Sequence, residues 1–168
     1  PRVERHRIFA ALFLIALSPL FWALFEQAGS SLNTYTDQSV DRTVLGWEMP
    51  ASWFQSVNAF FIITLAPLFG LLWTAMGKRG IERAAPFKFG IGLVLVGAGF
   101  FALILGAPAE GLTPAIFVIL LYMLHSMGEL CFSPIGLSSM NRLSVASMTG
   151  LMMGTWFLAT AAGNFIAG

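Results

Sequence analysis

Five long apolar runs separated by short polar links dominate this sequence. They cover approximately Ile8–Leu32, Trp53–Met76, Phe87–Gly106, Pro114–Leu137 and Gly150–Gly168. A helix needs about 20 mostly apolar residues to cross the hydrocarbon of a bilayer, and all five runs qualify. None alternates apolar and polar residues with period two, so strands are not expected. The expected fold class is therefore an all-α membrane protein with the lipid bilayer as solvent.

Charge supports this reading. Only 10% of the 168 residues are charged and 57% are hydrophobic, whereas a water-soluble domain carries about 25% charged residues. The net charge is +1, and the bases sit in short loops, so no nucleic-acid partner is expected. Cys131 is the single cysteine, which excludes an intrachain disulfide, and no cluster of His and Cys suggests a metal site. The chain starts at Pro1 with a polar, basic stretch to Arg7 and stops at Gly168 inside an apolar run. We expect it to be a fragment of a longer protein.

The bases also set an orientation. Arg2, Arg5 and Arg7 precede the first run; Lys78, Arg79, Arg83 and Lys88 surround the second-to-third link; Arg142 lies in the fourth-to-fifth link. The other two links hold Asp37, Asp41, Arg42 and Glu48, then Glu110 alone. The positive-inside rule makes the basic side cytoplasmic, and the regular alternation supports five spans. Trp47 and Trp53 suit an interfacial aromatic belt. Pro19, Pro67 and Pro134 lie inside spans, where each removes a backbone donor and favours a bend. Gly150 and Gly154 form a GxxxG pair, and Gly90, Gly92, Gly97 and Gly99 share the third span; both patterns are expected to serve close helix packing.

The most informative residues are polar ones at membrane depth. A carboxylate at mid-bilayer costs about 2.5–3.5 kcal/mol on insertion scales, yet Glu26 and Glu129, two of eight acids, fall inside spans. Ser18, Trp22, Glu26, Ser30, Asn33 and Asp37 follow at helical spacing, which predicts a polar stripe facing protein or water. Tyr122, His125, Glu129 and Ser133 share a side of the fourth span. A histidine beside a carboxylate can relay protons, and it can equally be a packed core imidazole. Asn58 is either a helix-to-helix hydrogen bonder or part of a site, and Trp156, on one face with Thr160 and Asn164, either walls a cavity or packs. Buried anions need a cation, and no Lys or Arg lies at mid-depth. The set suits a water-filled cavity that takes a proton and a ligand with a positive group. No phosphate loop, dinucleotide fingerprint, nucleophile triad or zinc spacing appears, so an enzyme is not expected.

Four strings resemble the proton-dependent oligopeptide transporter family of the major facilitator superfamily. Phe21-Trp22-Ala23-Leu24-Phe25-Glu26-Gln27-Ala28-Gly29-Ser30 resembles its seventh helix, and Phe54-Gln55-Ser56-Val57-Asn58-Ala59-Phe60-Phe61-Ile62-Ile63 its eighth. Gly128-Glu129-Leu130-Cys131-Phe132-Ser133-Pro134-Ile135-Gly136-Leu137-Ser138 resembles its tenth, and the stretch from Gly150 through Gly154, Trp156 and Phe157 to Gly163-Asn164 its eleventh. Met76-Gly77-Lys78-Arg79-Gly80 looks like the superfamily's basic loop between helices eight and nine. The resemblance implies a C-terminal helical bundle with five spans resembling helices seven to eleven, the last helix and the N-terminal bundle being absent. It implies proton-coupled symport of di- and tripeptides by alternating access in a multi-pass protein of the bacterial inner membrane. Protons would be the coupling ion and no cofactor would be needed. Glu129 would receive the peptide amino terminus, supported by Asn58; Trp22, Ser133 and Trp156 would line the cavity. Glu26 would act in protonation and gating through a salt bridge to the N-terminal bundle. The family's Glu-x-x-Glu-Arg-Phe-type motif belongs to its first helix, which this chain does not contain. Competing readings are a major facilitator for nitrate, amino acids or drugs, and a non-transporting membrane subunit that uses its buried acids as a proton path.

Overall fold

A computed structural model describes residues 2–81 and 84–168; Pro1, Glu82 and Arg83, the last a member of the basic second-to-third link, lie outside the described residues. Six helices appear: α1 (Arg2–Phe25), α2 (Ser31–Ser39), α3 (Gln55–Lys78), α4 (Ala85–Gly106), α5 (Ala115–Leu143) and α6 (Thr149–Ala167). Five helical stretches are long and apolar enough to cross a membrane, the first formed by α1 and α2 together. The 29 residues of α5 reach about 44 Å at 1.5 Å per residue, beyond the hydrocarbon of a bilayer. All three prolines expected to bend spans lie within helices that continue past them.

The first run departs from the expected single helix. α1 ends at Phe25, a 3-10 turn spans Glu26–Gly29, and α2 begins at Ser31. Gly29 and Ser30 give this point weak helix formers, glycine above all. The loose ends bond elsewhere: Ser30 Oγ donates to the Ala167 carbonyl at 2.9 Å and Gln27 Nε2 donates to Ala23 O at 3.1 Å. The anticipated polar stripe is therefore not one continuous face. Ser18 meets Thr160 across α6 at 3.4 Å, Asn33 accepts from Gln55 at 3.3 Å, and Asp37 pairs with Arg42 at 3.5 Å.

Strands, unexpected in the apolar runs, occur as two-residue pairs in the polar links. β1 (Val40–Asp41) runs parallel to β4 (Thr113–Pro114), and β2 (Thr43–Val44) pairs antiparallel with β3 (Trp47–Glu48). The hairpin turns on Leu45 and Gly46, both at positive φ, the geometry a two-residue turn requires. Arg42, the one base on this side, donates to Met49 O at 3.1 Å and pairs with Glu48 at 2.9 Å. Thr43 N–H donates to the exposed Asp41 carboxyl at 3.0 Å and holds it below the usual carboxylate range.

α5 is the element the others pack on. Against α4, the backbones nearly touch: a Cβ on Gly128 would sit 2.9 Å from Gly92 O, and one on Gly92 3.0 Å from Gly128 O. α1 meets α6 the same way, with Gly163 against Pro19 and Trp22. Gly136 of α5 receives the Trp156 ring from α6. Gly150 and Gly154 have no neighbour within 4 Å of an added Cβ, nor do Gly90 and Gly97. The GxxxG pair is thus not a packing contact here, because α6 approaches its neighbours through Trp156 and Gly163.

Two apolar clusters flank the middle of the bundle. One stacks Phe21 on Phe132 at 4.1 Å, with Phe89 and Trp156 beside them. The other gathers Leu32, Val40, Phe54, Leu103, Val118 and Leu121. Along α5 the interval between Leu121 and Phe132 carries His125, Ser126 and Glu129, which sets a polar layer between two greasy ones.

Candidate functional site

The break after α1 places Glu26 at the wall of a cavity of about 160 Å³. Asn58 from α3 and Tyr122 and His125 from α5 line the same cavity, and among the described residues no Lys or Arg does. Asn58 Nδ2 donates to Ser126 Oγ at 2.9 Å, and Ser126 Oγ donates to the Tyr122 carbonyl at 2.7 Å. A primary amide has two N–H groups; the Asn58 side chain also serves the half-buried Glu129 carboxyl, and Glu26 lies within electrostatic reach of Glu129. Two carboxyl groups, an amide and a hydroxyl from the 3-10 turn, α3 and α5 thus converge, without a cation among the described residues that line the cavity. Such a layer can hold an ammonium group, a proton, or both in turn.

Ser126 is fully buried and was not singled out from the sequence. A serine bonded to the carbonyl four residues back is ordinary in helices, so only its spacing of three from Glu129 hints at a role.

No hydrogen bond joins His125 to Glu129 among the described residues, where the ring lines the Glu26 cavity and its Nδ1 has no partner. His125 is 1% exposed, ringed by Phe25 and Phe100 at 5.8 and 4.9 Å. Its Nε2 lies 3.2 Å from Val96 O, and a carbonyl only accepts, so Nε2 carries the hydrogen. The ring packs toward α4, where Gly99 leaves room for it: a Cβ there would sit 2.8 Å from Cδ2. The packed-imidazole reading fits this geometry. Tyr122, also buried, contributes its backbone carbonyl to the network.

The remaining expected site residues lie outside this cavity. Trp156, expected to line the cavity by family resemblance, is 3% exposed and sits in the apolar core against Phe89, Phe132 and Gly136. The missing side chain of Gly136 admits the ring. Trp22, one turn before Glu26, packs edge-on against Phe21 and Phe25, and its Nε1 has no partner among the described residues. Ser133, one turn after Glu129, likewise has a buried hydroxyl without a partner. Unpaired buried polar atoms are rare, and two of them, on α1 and α5, flank the Glu26–Glu129 layer along their helices.

The comparisons with known proteins point one way. The POT family profile matches residues 2–168. The chain is 39% identical to the peptide transporter YePEPT of Yersinia enterocolitica over 99% of its own length and 34% of the relative's. It is 32% identical to dipeptide and tripeptide permease B of Xenorhabdus bovienii over 99% of its length and 35% of the relative's. A crystal structure of peptide transporter POT in complex with sulfate superposes with a TM-score of 0.89 at 36% identity, covering 99% of this chain and 34% of that one. The chain therefore spans about a third of the relatives it matches. Its helices, their order and their packing are those of a major facilitator bundle, and this integral membrane chain belongs to the POT family of peptide transporters.

Proposed function

We propose that the chain forms the larger part of the C-terminal bundle of a proton-coupled symporter of di- and tripeptides. An N-terminal bundle and a further C-terminal helix of the same protein complete it. The observation that carries this reading is the convergence of Glu129, Asn58 and Glu26 in a layer without a cation of its own. Glu129, steadied by Asn58, binds the peptide's ammonium end. Glu26, at the break between α1 and α2, takes a proton and releases a salt bridge to the N-terminal bundle, so that the gate opens by alternating access. Trp22 and Ser133 offer unpaired donors to the rest of the ligand. Names of relatives that specify peptides, dipeptides and tripeptides support the substrate class. The basic end, with Arg5, Arg7, Lys78, Arg79 and Arg142, faces the cytoplasm of a bacterial inner membrane under the positive-inside rule.

The test uses the full-length protein in liposomes with an inward proton gradient and labelled dialanine. Uptake should depend on the gradient and be blocked by excess di- and tripeptides. Glu129→Gln removes the charge that meets the ammonium group, a contact of about 1.5–3 kcal/mol, so uptake should fall by one to two orders of magnitude. Normal uptake by that variant would remove the assignment of Glu129. Glu26→Gln should lose gradient-driven uptake and retain counterflow; if both survive, Glu26 does not gate.

A further inference from the structure

A second and larger cavity, of about 700 Å³, opens at the basic end of the bundle between the first turns of α1, the start of α4 and the last turns of α5. Its charged lining residues are Arg7 and Arg142, and no acid lines it among the described residues. Ala84, Ala85 and Pro86 form part of the wall. They begin a 22-residue helix that no side chain caps, so the positive end of the α4 dipole lies at this wall, although the Phe87 and Lys88 N–H groups already donate to the Ala84 carbonyl and Pro86 has none. Ser139 is an independent observation. It is 8% exposed, lines the cavity, and makes no hydrogen bond among the described residues. A hydroxyl that shares a cavity with two guanidinium groups and the positive end of a helix dipole suits an anion with acceptor oxygens. Beside it stand Phe9 and Phe13, 74% and 49% exposed, on the flank of a membrane-crossing helix. The anion that fits brings an apolar tail with it. A groove along α4, lined by Phe87, Gly90, Ile91, Val94 and Leu95, makes the contrast: it offers hydrocarbon and nothing to fix a headgroup.

We propose that this cavity binds an anionic phospholipid. Its phosphate lies among Arg7, Arg142 and Ser139 and its acyl chains run along Phe9 and Phe13. Basic pockets between membrane helices on the positive side suit such headgroups. The site joins α1, α4 and α5, so an occupant ties the start of the helix that leads into Glu26 to the end of the helix that carries Glu129.

Native mass spectrometry of the purified full-length protein, titrated with phosphatidylglycerol or phosphatidylethanolamine, tests this. The wild type should retain phosphatidylglycerol preferentially. Arg7→Gln and Arg142→Gln, both at exposed positions, should each lower that retention about fivefold, and together more. Ala10→Phe fills the cavity with both arginines in place and should lower it as well. Equal retention of the two lipids by the wild type overturns the proposal, as does unchanged retention in the double arginine variant. A wild type that retains no more lipid than Ala10→Phe means that another segment of the protein occupies the space, and the proposal fails. Binding of inorganic phosphate without preference between the lipids makes the site one for a free anion and overturns the lipid assignment.

Discussion

At the scale of single residues, Ser126 is the position whose importance the structure adds. Its hydroxyl accepts from Asn58 and donates to Tyr122 O, which fixes the amide that serves Glu129. Ser126→Ala takes the acceptor from a half-buried amide hydrogen of Asn58, at about 1–3 kcal/mol, while the Tyr122 carbonyl keeps its bond within α5. The KM for dialanine should rise on the order of tenfold, with a lowered Tm, in the full-length protein. An unchanged KM would show that Asn58 needs no such support. Glu26, Glu129 and Asn58 were legible in the sequence because each interrupts an apolar run, and lipid tolerates such interruptions poorly. Ser126 was not, since a small hydroxyl satisfied by its own helix leaves no mark on the pattern. For Trp156 the sequence left a cavity wall and a packed ring both open. Its surroundings depend on Gly136 and Phe89, on two other helices.

At the scale of elements, glycines set how near the helices come. Gly163 lets α6 press on α1, where an added Cβ would lie 2.7 Å from Trp22 Cβ and 2.8 Å from Pro19 O. Gly163→Ala forces these helices apart, an overpacking of about 1–3 kcal/mol, and should lower the Tm of the full-length protein. Gly154→Ala meets nothing within 4 Å and should change stability by no more than about 0.5 kcal/mol. A Tm loss at 154 equal to that at 163 would mean that another part of the protein packs on that face. The GxxxG spacing marks where helices are able to approach, while Gly136 and Gly163, without a motif, are where they do. The five spans were readable as hydrophobic length alone. The break at Glu26–Gly29 was not, because residues at helical spacing keep that spacing on paper whether or not the helix continues through them.

At the scale of the whole molecule, the bundle is uneven. α5 carries eleven of its residues buried, including His125, Ser126 and Phe132, whereas α3 has none. α3 turns Phe60, Ile63, Leu68 and Leu71 outward while it delivers Asn58 inward. The candidate site thus depends on a helix held largely from one side. The isolated 168-residue chain in detergent should be helical by circular dichroism and give no heat of binding with dialanine by calorimetry, while the full-length protein gives one. Binding by the isolated chain would show that the N-terminal bundle is dispensable for ligand capture.

The pairing of Asn58 with Ser126 spans 68 residues of sequence, and this separation bears on biogenesis. At about 5–20 residues per second, α3 leaves the ribosome roughly 3–14 seconds before the serine that accepts from its amide. During that interval a nascent α3 lies in lipid with a polar side chain and no acceptor from α5. The residue proposed to help bind the peptide is therefore also a burden on membrane insertion. Asn58→Leu should insert more efficiently in a glycosylation-tag assay and yield a transporter that captures peptide poorly.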